Sequence, residues 1–149
     1  DGFNLLLYDG DSLVYLNNYE NLPPQKLEPG VYALSNNRLD SPWPKVDHAR
    51  EQLAELVDSV ELDEQHLGTL MATLSLQKIY APELLPSTGV PQEWETLLSS
   101  PFIVAEGYGT RASAAVIISA DGEVAVAEQT YEAGETLGSQ TFSFNACER

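Results

Sequence analysis

The chain has one cysteine, Cys147, so no disulfide can close within it and no Cys/His metal cluster is available. That usage favours a reducing compartment, and we read the chain as cytoplasmic. No apolar run approaches the roughly 18 residues of a membrane span, and no basic segment followed by an apolar stretch opens the chain, so neither a span nor an address is visible. Bases are scarce: seven against twenty-three acids give a net charge of -16. Such a surface repels a phosphate backbone or an anionic bilayer, and nucleic acid is not an expected partner. Surface acids otherwise serve solubility. Also missing are a glycine-rich phosphate loop, a His-Glu-x-x-His zinc helix and a Gly-x-Ser-x-Gly elbow, which excludes the common nucleotide, zincin and serine-hydrolase readings. No methionine precedes the first apolar run, so Asp1 is not expected to be the native start.

What is present suffices for one core: 149 residues, 43% of them hydrophobic, imply a single domain. Phe3 to Tyr8 reads as a strand that turns at Asp9-Gly10-Asp11 into a second strand, Ser12 to Leu16. A proline-bearing loop over 17–30 leads to a third strand, Val31 to Ser35. Ser41 with Pro42 reads as an N-cap and first helical residue, and Trp43, Val46, Leu53, Leu56, Val57 and Val60 recur at helical spacing behind them. Asp63 caps a second helix with Leu67, Leu70, Met71 and Leu74 on its apolar face, and Pro91, Trp94, Leu97 and Leu98 mark a short third. Between these two, 79–90 reads as a packed loop. Ala112 to Ser119 and Glu123 to Thr130 flank Asp121-Gly122, a strong hairpin signal, and Thr141 to Asn145 forms a last strand. Strands, then helices, then strands favour an α+β fold with antiparallel pairing.

Three stretches carry a family likeness: Gly2-Phe3-Asn4-Leu5; Pro29-Gly30-Val31-Tyr32-Ala33-Leu34-Ser35-Asn36 running on to Leu39-Asp40-Ser41-Pro42-Trp43-Pro44-Lys45; and Tyr108-Gly109-Thr110-Arg111 leading into Asp121-Gly122. In these the chain resembles the Transport and Golgi organisation 2 (NRDE) family, with residues 1–149 as the C-terminal part of one such domain. The resemblance implies an architecture like that of the N-terminal nucleophile hydrolases, an αββα sandwich of antiparallel sheets, incomplete here at its N-terminus. A domain lacking its opening strands is expected to leave apolar edges and faces uncovered. It also implies an opening Met-Cys and an early Asn-Arg-Asp-Glu motif, neither of which is in this sequence; Asn37-Arg38-Leu39-Asp40 repeats some of those letters in another place.

Two functions follow from the resemblance. One is binding of a small amphipathic or anionic metabolite, with haem as a carried ligand or a lipid or acyl-coenzyme A compound, in a pocket that includes Arg111. The alternative is an amidohydrolase whose nucleophilic cysteine lies upstream, with Asn36 and Arg111 in supporting catalytic roles. Among the few bases, Arg38, Lys45 and Arg111 fall in or beside the two best motifs and would make a cationic spot for an anionic ligand. Tyr108 and Thr110, neighbours of Arg111, complete the ligand-binding candidates, and Gly109 is expected to supply a tight or positive-φ turn that aims the arginine. Against these stand plainer roles: Asn36 as a turn residue bonded to its own backbone, Arg111 as a partner for loop carbonyls, Trp43 as core. His48 and His66 read as solvated helix residues, no Cys-x-x-Cys-His motif exists, and no metal site is read. Under either function Asn36 and Arg111 are expected to converge on one cleft.

Overall fold

The computed structural model describes residues 2–146; Cys147 lies outside them. The fold is α+β, with every strand pair antiparallel. Strands β1 (Asn4–Tyr8), β2 (Leu13–Asn17) and β3 (Gln25–Leu27) form one sheet in that order. Helices α1 (Pro44–Ser59), α2 (Leu67–Ala72) and α3 (Gln92–Leu97) follow. A two-stranded ribbon, β4 (Val104–Ala105) with β5 (Tyr108–Gly109), precedes a second three-stranded sheet of β6 (Ala112–Ile118), β7 (Glu123–Glu132) and β8 (Glu135–Asn145).

Both hairpins read from the sequence form: Gly10 takes φ 103° in the turn between β1 and β2, and Gly122 takes φ 87° after Asp121. A further turn, between β7 and β8, uses Ala133 (φ 50°) and Gly134 (φ 86°), the double positive φ that matches strand twist. That turn carries β8 back along the whole of β7, so the last strand is longer than Thr141 to Asn145.

The third strand is placed differently from the sequence reading. Residues 31–35 pair with no strand among the described residues, and β3 forms earlier, at Gln25–Leu27. An alternating apolar run becomes a strand only beside a partner. Here Asp40 takes that place: its backbone N–H donates to Ala33 O at 2.8 Å, and its Oδ1 accepts from Ala33 N–H at 2.9 Å.

The first helix also starts later than its sequence signals suggested. Trp43 precedes Pro44, and the residue before a proline is driven out of the α region; its φ of -103° and ψ of 139° are extended, so the helix opens at Pro44 rather than Pro42. Ser41 does not cap it. That side chain is fully buried and donates to Arg38 O at 2.7 Å. The second helix does open on Asp63, through a single 3₁₀ turn at Glu64–His66, where Asp63 Oδ1 accepts from Gln65 N–H. His66 is therefore part of the cap: its Nδ1 lies 3.2 Å from Asp63 N and 2.8 Å from Asp63 Oδ1, accepting from the first or donating to the second according to tautomer.

The core lies where α2 meets the second sheet. Leu67 packs on Ala115 and Ala127, which are cross-strand partners, with Leu70, Met71, Ile117 and Ala125 around them. Phe102 and Tyr131 make a second contact, edge to face, with centroids 4.8 Å apart. The segment 79–90 is less packed than its apolar content implied, since Tyr80 is its one buried residue while Ile79, Leu84 and Val90 are exposed. Hydrogen bonds hold it instead: Tyr80 N–H donates to Ser99 Oγ, and Thr88 N–H to Glu95. Apolar surface also remains open elsewhere. Leu5, Leu6 and Leu7 of β1 are exposed, as are Val116 and Ile118 of β6 and Phe142 and Phe144 of β8.

Candidate functional site

A groove of about 590 Å³ runs between residues 32–36, α1, α2 and β6, within the size range of small-molecule sites. Its lining is mostly apolar, with Val46, Leu53, Leu70 and Ile103 among its walls. The tether from Asp40 to Ala33 positions the 32–36 wall, and Asp40 in turn sits 3.3 Å from the guanidinium of Arg50 on α1. Loop, helix and groove wall are thus one hydrogen-bonded unit.

Lys45, in the first turn of α1, is the one cation among the lining residues. Its side chain is half-buried. Its Nζ donates to Leu98 O at 2.7 Å and lies 5.7 Å from the centroid of the Trp43 ring. Burial pushes its ammonium below the usual lysine range, while the nearby Glu95 carboxylate opposes that shift.

On the far side of Lys45 is a smaller hollow of about 260 Å³, which shares Asn36, Lys45 and Leu98 with the groove. Its floor carries Glu95, which is only 7% exposed. Glu95 Oε1 accepts from both the hydroxyl and the backbone N–H of Thr88, each at 2.6 Å, and these bonds hold its carboxyl below the usual range. Sequence reasoning missed Glu95. In a helix of six residues the period is too short to fix which side faces inward, and the expected apolar residue, Trp94, is half-exposed instead, stacked edge to face on Tyr108 at 5.4 Å.

The residues singled out from the sequence divide. Asn36, Lys45 and Tyr108 line the groove together. The Asn36 amide makes no hydrogen bond to another described residue, its own backbone included, so the turn-residue role does not describe it. Arg38 is elsewhere, in a separate hollow with Tyr15 and Glu20, 3.7 Å from the Glu20 carboxylate. Arg111 is exposed at the start of β6 and is not among the groove's lining residues, so it does not meet Asn36 there. Its side chain bonds to nothing among the described residues, while its carbonyl accepts from Tyr131 N–H.

Thr110 is a clamp: its Oγ1 accepts from Ile103 N–H and its own N–H donates to Ile103 O, both at 2.9 Å. Gly109 serves the same contact. It does not supply the positive φ expected of it, which falls on Gly107 at 73°. A Cβ at 109 would stand 2.8 Å from Ile103 O, so the glycine is required by the close approach of a backbone. The Tyr-Gly-Thr run therefore builds the ribbon that delivers Tyr108 to the groove.

An antiparallel α+β domain with one lysine-marked groove is the class that the structure defines. The chain belongs to the Transport and Golgi organisation 2 family, whose sequence model matches residues 1–133. Among similar proteins, the Transport and Golgi organization protein 2 homolog of Bos taurus is 31% identical over 140 residues, 87% of this chain and 51% of that protein. The Homo sapiens homolog is 28% identical over 140 residues, with the same shares covered. The chain spans about half the length of the curated relatives it matches. No helix among the described residues is long and apolar enough to cross a membrane.

Proposed function

We propose that the chain is a cytoplasmic binding domain for a small amphipathic metabolite, with the apolar part in the groove and an anionic group on Lys45. The observation that carries this reading is a single half-buried ammonium on the wall of a mostly apolar groove, in a chain otherwise crowded with acids. Of the ammonium's three donors one is bonded to Leu98 O, which leaves two for a ligand oxygen. Haem and lipid or acyl-coenzyme A compounds, implied by the family resemblance, are all amphipathic anions. His48 and His66 are not among the groove's lining residues, which favours the lipid-like compounds over haem. Carriage of such a compound is consistent with the word transport in the relatives' names.

Titration with dodecanoate, followed by the fluorescence of Trp43 and Trp94, tests the reading. Lys45→Met keeps the stem and removes the charge, and is expected to weaken binding about tenfold or more, roughly 1.4 kcal/mol. Arg111→Ala, outside the lining, is expected to leave affinity unchanged. Unaltered binding by Lys45→Met would remove the proposal.

A second reading, amide hydrolysis with a cysteine upstream of Asp1 as nucleophile, is favoured by one observation: the unbonded amide of Asn36 on the groove wall is available to an oxyanion. Under it, hydrolysis of acyl amides by the protein with that upstream cysteine in place falls about a hundred- to thousandfold on Asn36→Ala. Absence of turnover across a panel of acyl amides dismisses it.

A further inference from the structure

We propose that the groove is a slot of fixed length for a single-chain alkyl anion, with Lys45 at the anionic end, Tyr32 and Leu53 at the other, and room between them for about nine or ten carbons. The proposal rests on the groove reading above for the anion and the apolar chain; the length, and the residues that set it, are its own addition.

Two walls fix that length. On α1 the lining residues Lys45, Val46, Ala49 and Leu53 recur at helical spacing, and neither Leu56 nor Val57, next on the same stripe, belongs to the lining. From Lys45 to Leu53 is about 12 Å of helix. The facing wall, residues 32–36, spans at most about 14 Å when fully extended. The walls run in opposite directions. Asn36 and Lys45 stand together where both also line the small hollow, while Ala33 is joined through Asp40 to Arg50, more than a turn further along α1. Tyr32 and Leu53 are therefore the last residues of their walls at the same end.

The two ends differ in kind. Lys45 Nζ is bonded to Leu98 O, and Leu98 too is shared by groove and hollow, so the ammonium is held at that end. At the far end Tyr32 is pinned twice: its hydroxyl donates to Glu28 O at 2.8 Å, and its ring lies so near Gly30 that a Cβ there would stand 3.4 Å from it. An extended hydrocarbon advances about 1.3 Å per carbon, the zigzag of 1.5 Å bonds, so carbons beyond the ninth or tenth pass Leu53 into solvent and gain nothing. Leu74 and Val116, also in the lining, are about half exposed, so the groove is open along one side and buries each methylene only in part. Each carbon inside is accordingly expected to tighten binding about threefold, against roughly fourfold for complete burial.

The test is a calorimetric titration of the chain with hexanoate, octanoate, decanoate, dodecanoate and tetradecanoate, each below the concentration at which it forms micelles. Affinity is expected to rise about threefold per carbon as far as decanoate and then to level, the two longer chains binding within about twofold of it. Leu53→Ala shortens one wall and is expected to move the break to octanoate: the gain from octanoate to decanoate is lost while hexanoate binds as before. A rise that continues to tetradecanoate, or a Leu53→Ala variant that weakens every chain by the same factor, overturns the length limit and leaves the groove reading standing. Failure of every carboxylate to bind overturns both. The series on the unaltered protein needs no variant, so it decides the matter even where Leu53→Ala fails to fold.

Discussion

Leu67→Ala is expected to lower the stability of the chain by about 2–5 kcal/mol, read as a fall in the denaturation midpoint with an unchanged slope. Leu67 is 3% exposed and stands on Ala115 and Ala127. Those alanines are directly paired across β6 and β7, so the helix rests on a backbone surface that cannot move into the space a lost isobutyl group would leave. Because a whole domain is held by only about 5–15 kcal/mol, this one cavity removes a large part of the margin. Leu74, on the same helix face by sequence yet exposed, supplies the control: Leu74→Ala is expected to change stability by less than about 0.5 kcal/mol. Equal effects at the two positions would mean that α2 is not seated on the sheet.

Asp40→Ala is expected to cost about 2–4 kcal/mol and to weaken groove binding although it touches no ligand. Two terms add. Asp40 has φ 51°, where alanine is disfavoured by about 1–2 kcal/mol and aspartate or asparagine is better tolerated. Removing its carboxylate also leaves Ala33 N–H without its acceptor, about 1–3 kcal/mol for a buried donor and less for this half-buried one, and takes from Arg50 one of its two carboxylate partners, Asp47 remaining at 2.7 Å. The wall at 32–36 then loses its tether to α1. Asp40→Asn keeps a side-chain oxygen and tolerance of the left-handed region, and is expected to lose less than half as much. Thermal melts of both variants, paired with dodecanoate titration, separate the terms; equal losses would place the whole effect in the charge.

The contrast between these positions shows what the residues disclosed in advance. Leu67, the Asp63 cap and the Asp-Gly hairpin depend on neighbours close in the chain, and they formed where periodicity and turn chemistry placed them. Val31 to Ser35 has the alternation of a strand, but pairing depends on what runs alongside, and Asp40 does. Ser41-Pro42 and Trp43-Pro44 offered competing helix starts, and the rule for residues before proline decides between them. In the site, proximity to a motif stood in for proximity in space. It placed Lys45 and Tyr108 with Asn36 and did the same for Arg38 and Arg111, of which one pairs with Glu20 and the other points from the start of an edge strand. Glu95 gave no advance signal: Glu93 is exposed as a solvated turn would have it, but Trp94, which looks like an inward face, is exposed as well, and the buried position of the short helix falls on Glu95.

The uncovered side of the second sheet sets two forces of different range against each other. Val116, Val126 and Phe142 lie in register across its three strands, with the exposed Ile118 and Phe144 flanking a buried Val124 in the next row, and the two phenylalanines stack in solvent at 6.3 Å. Attraction between two such faces begins only at contact. The repulsion due to a charge of -16 per chain reaches outward through the solvent, but only as far as ions permit, about 10 Å at 0.1 M salt. Ionic strength therefore governs how long copies of this chain stay dispersed: dilute buffer keeps the aromatic faces apart, and each increment of salt shortens the distance at which they are still held off.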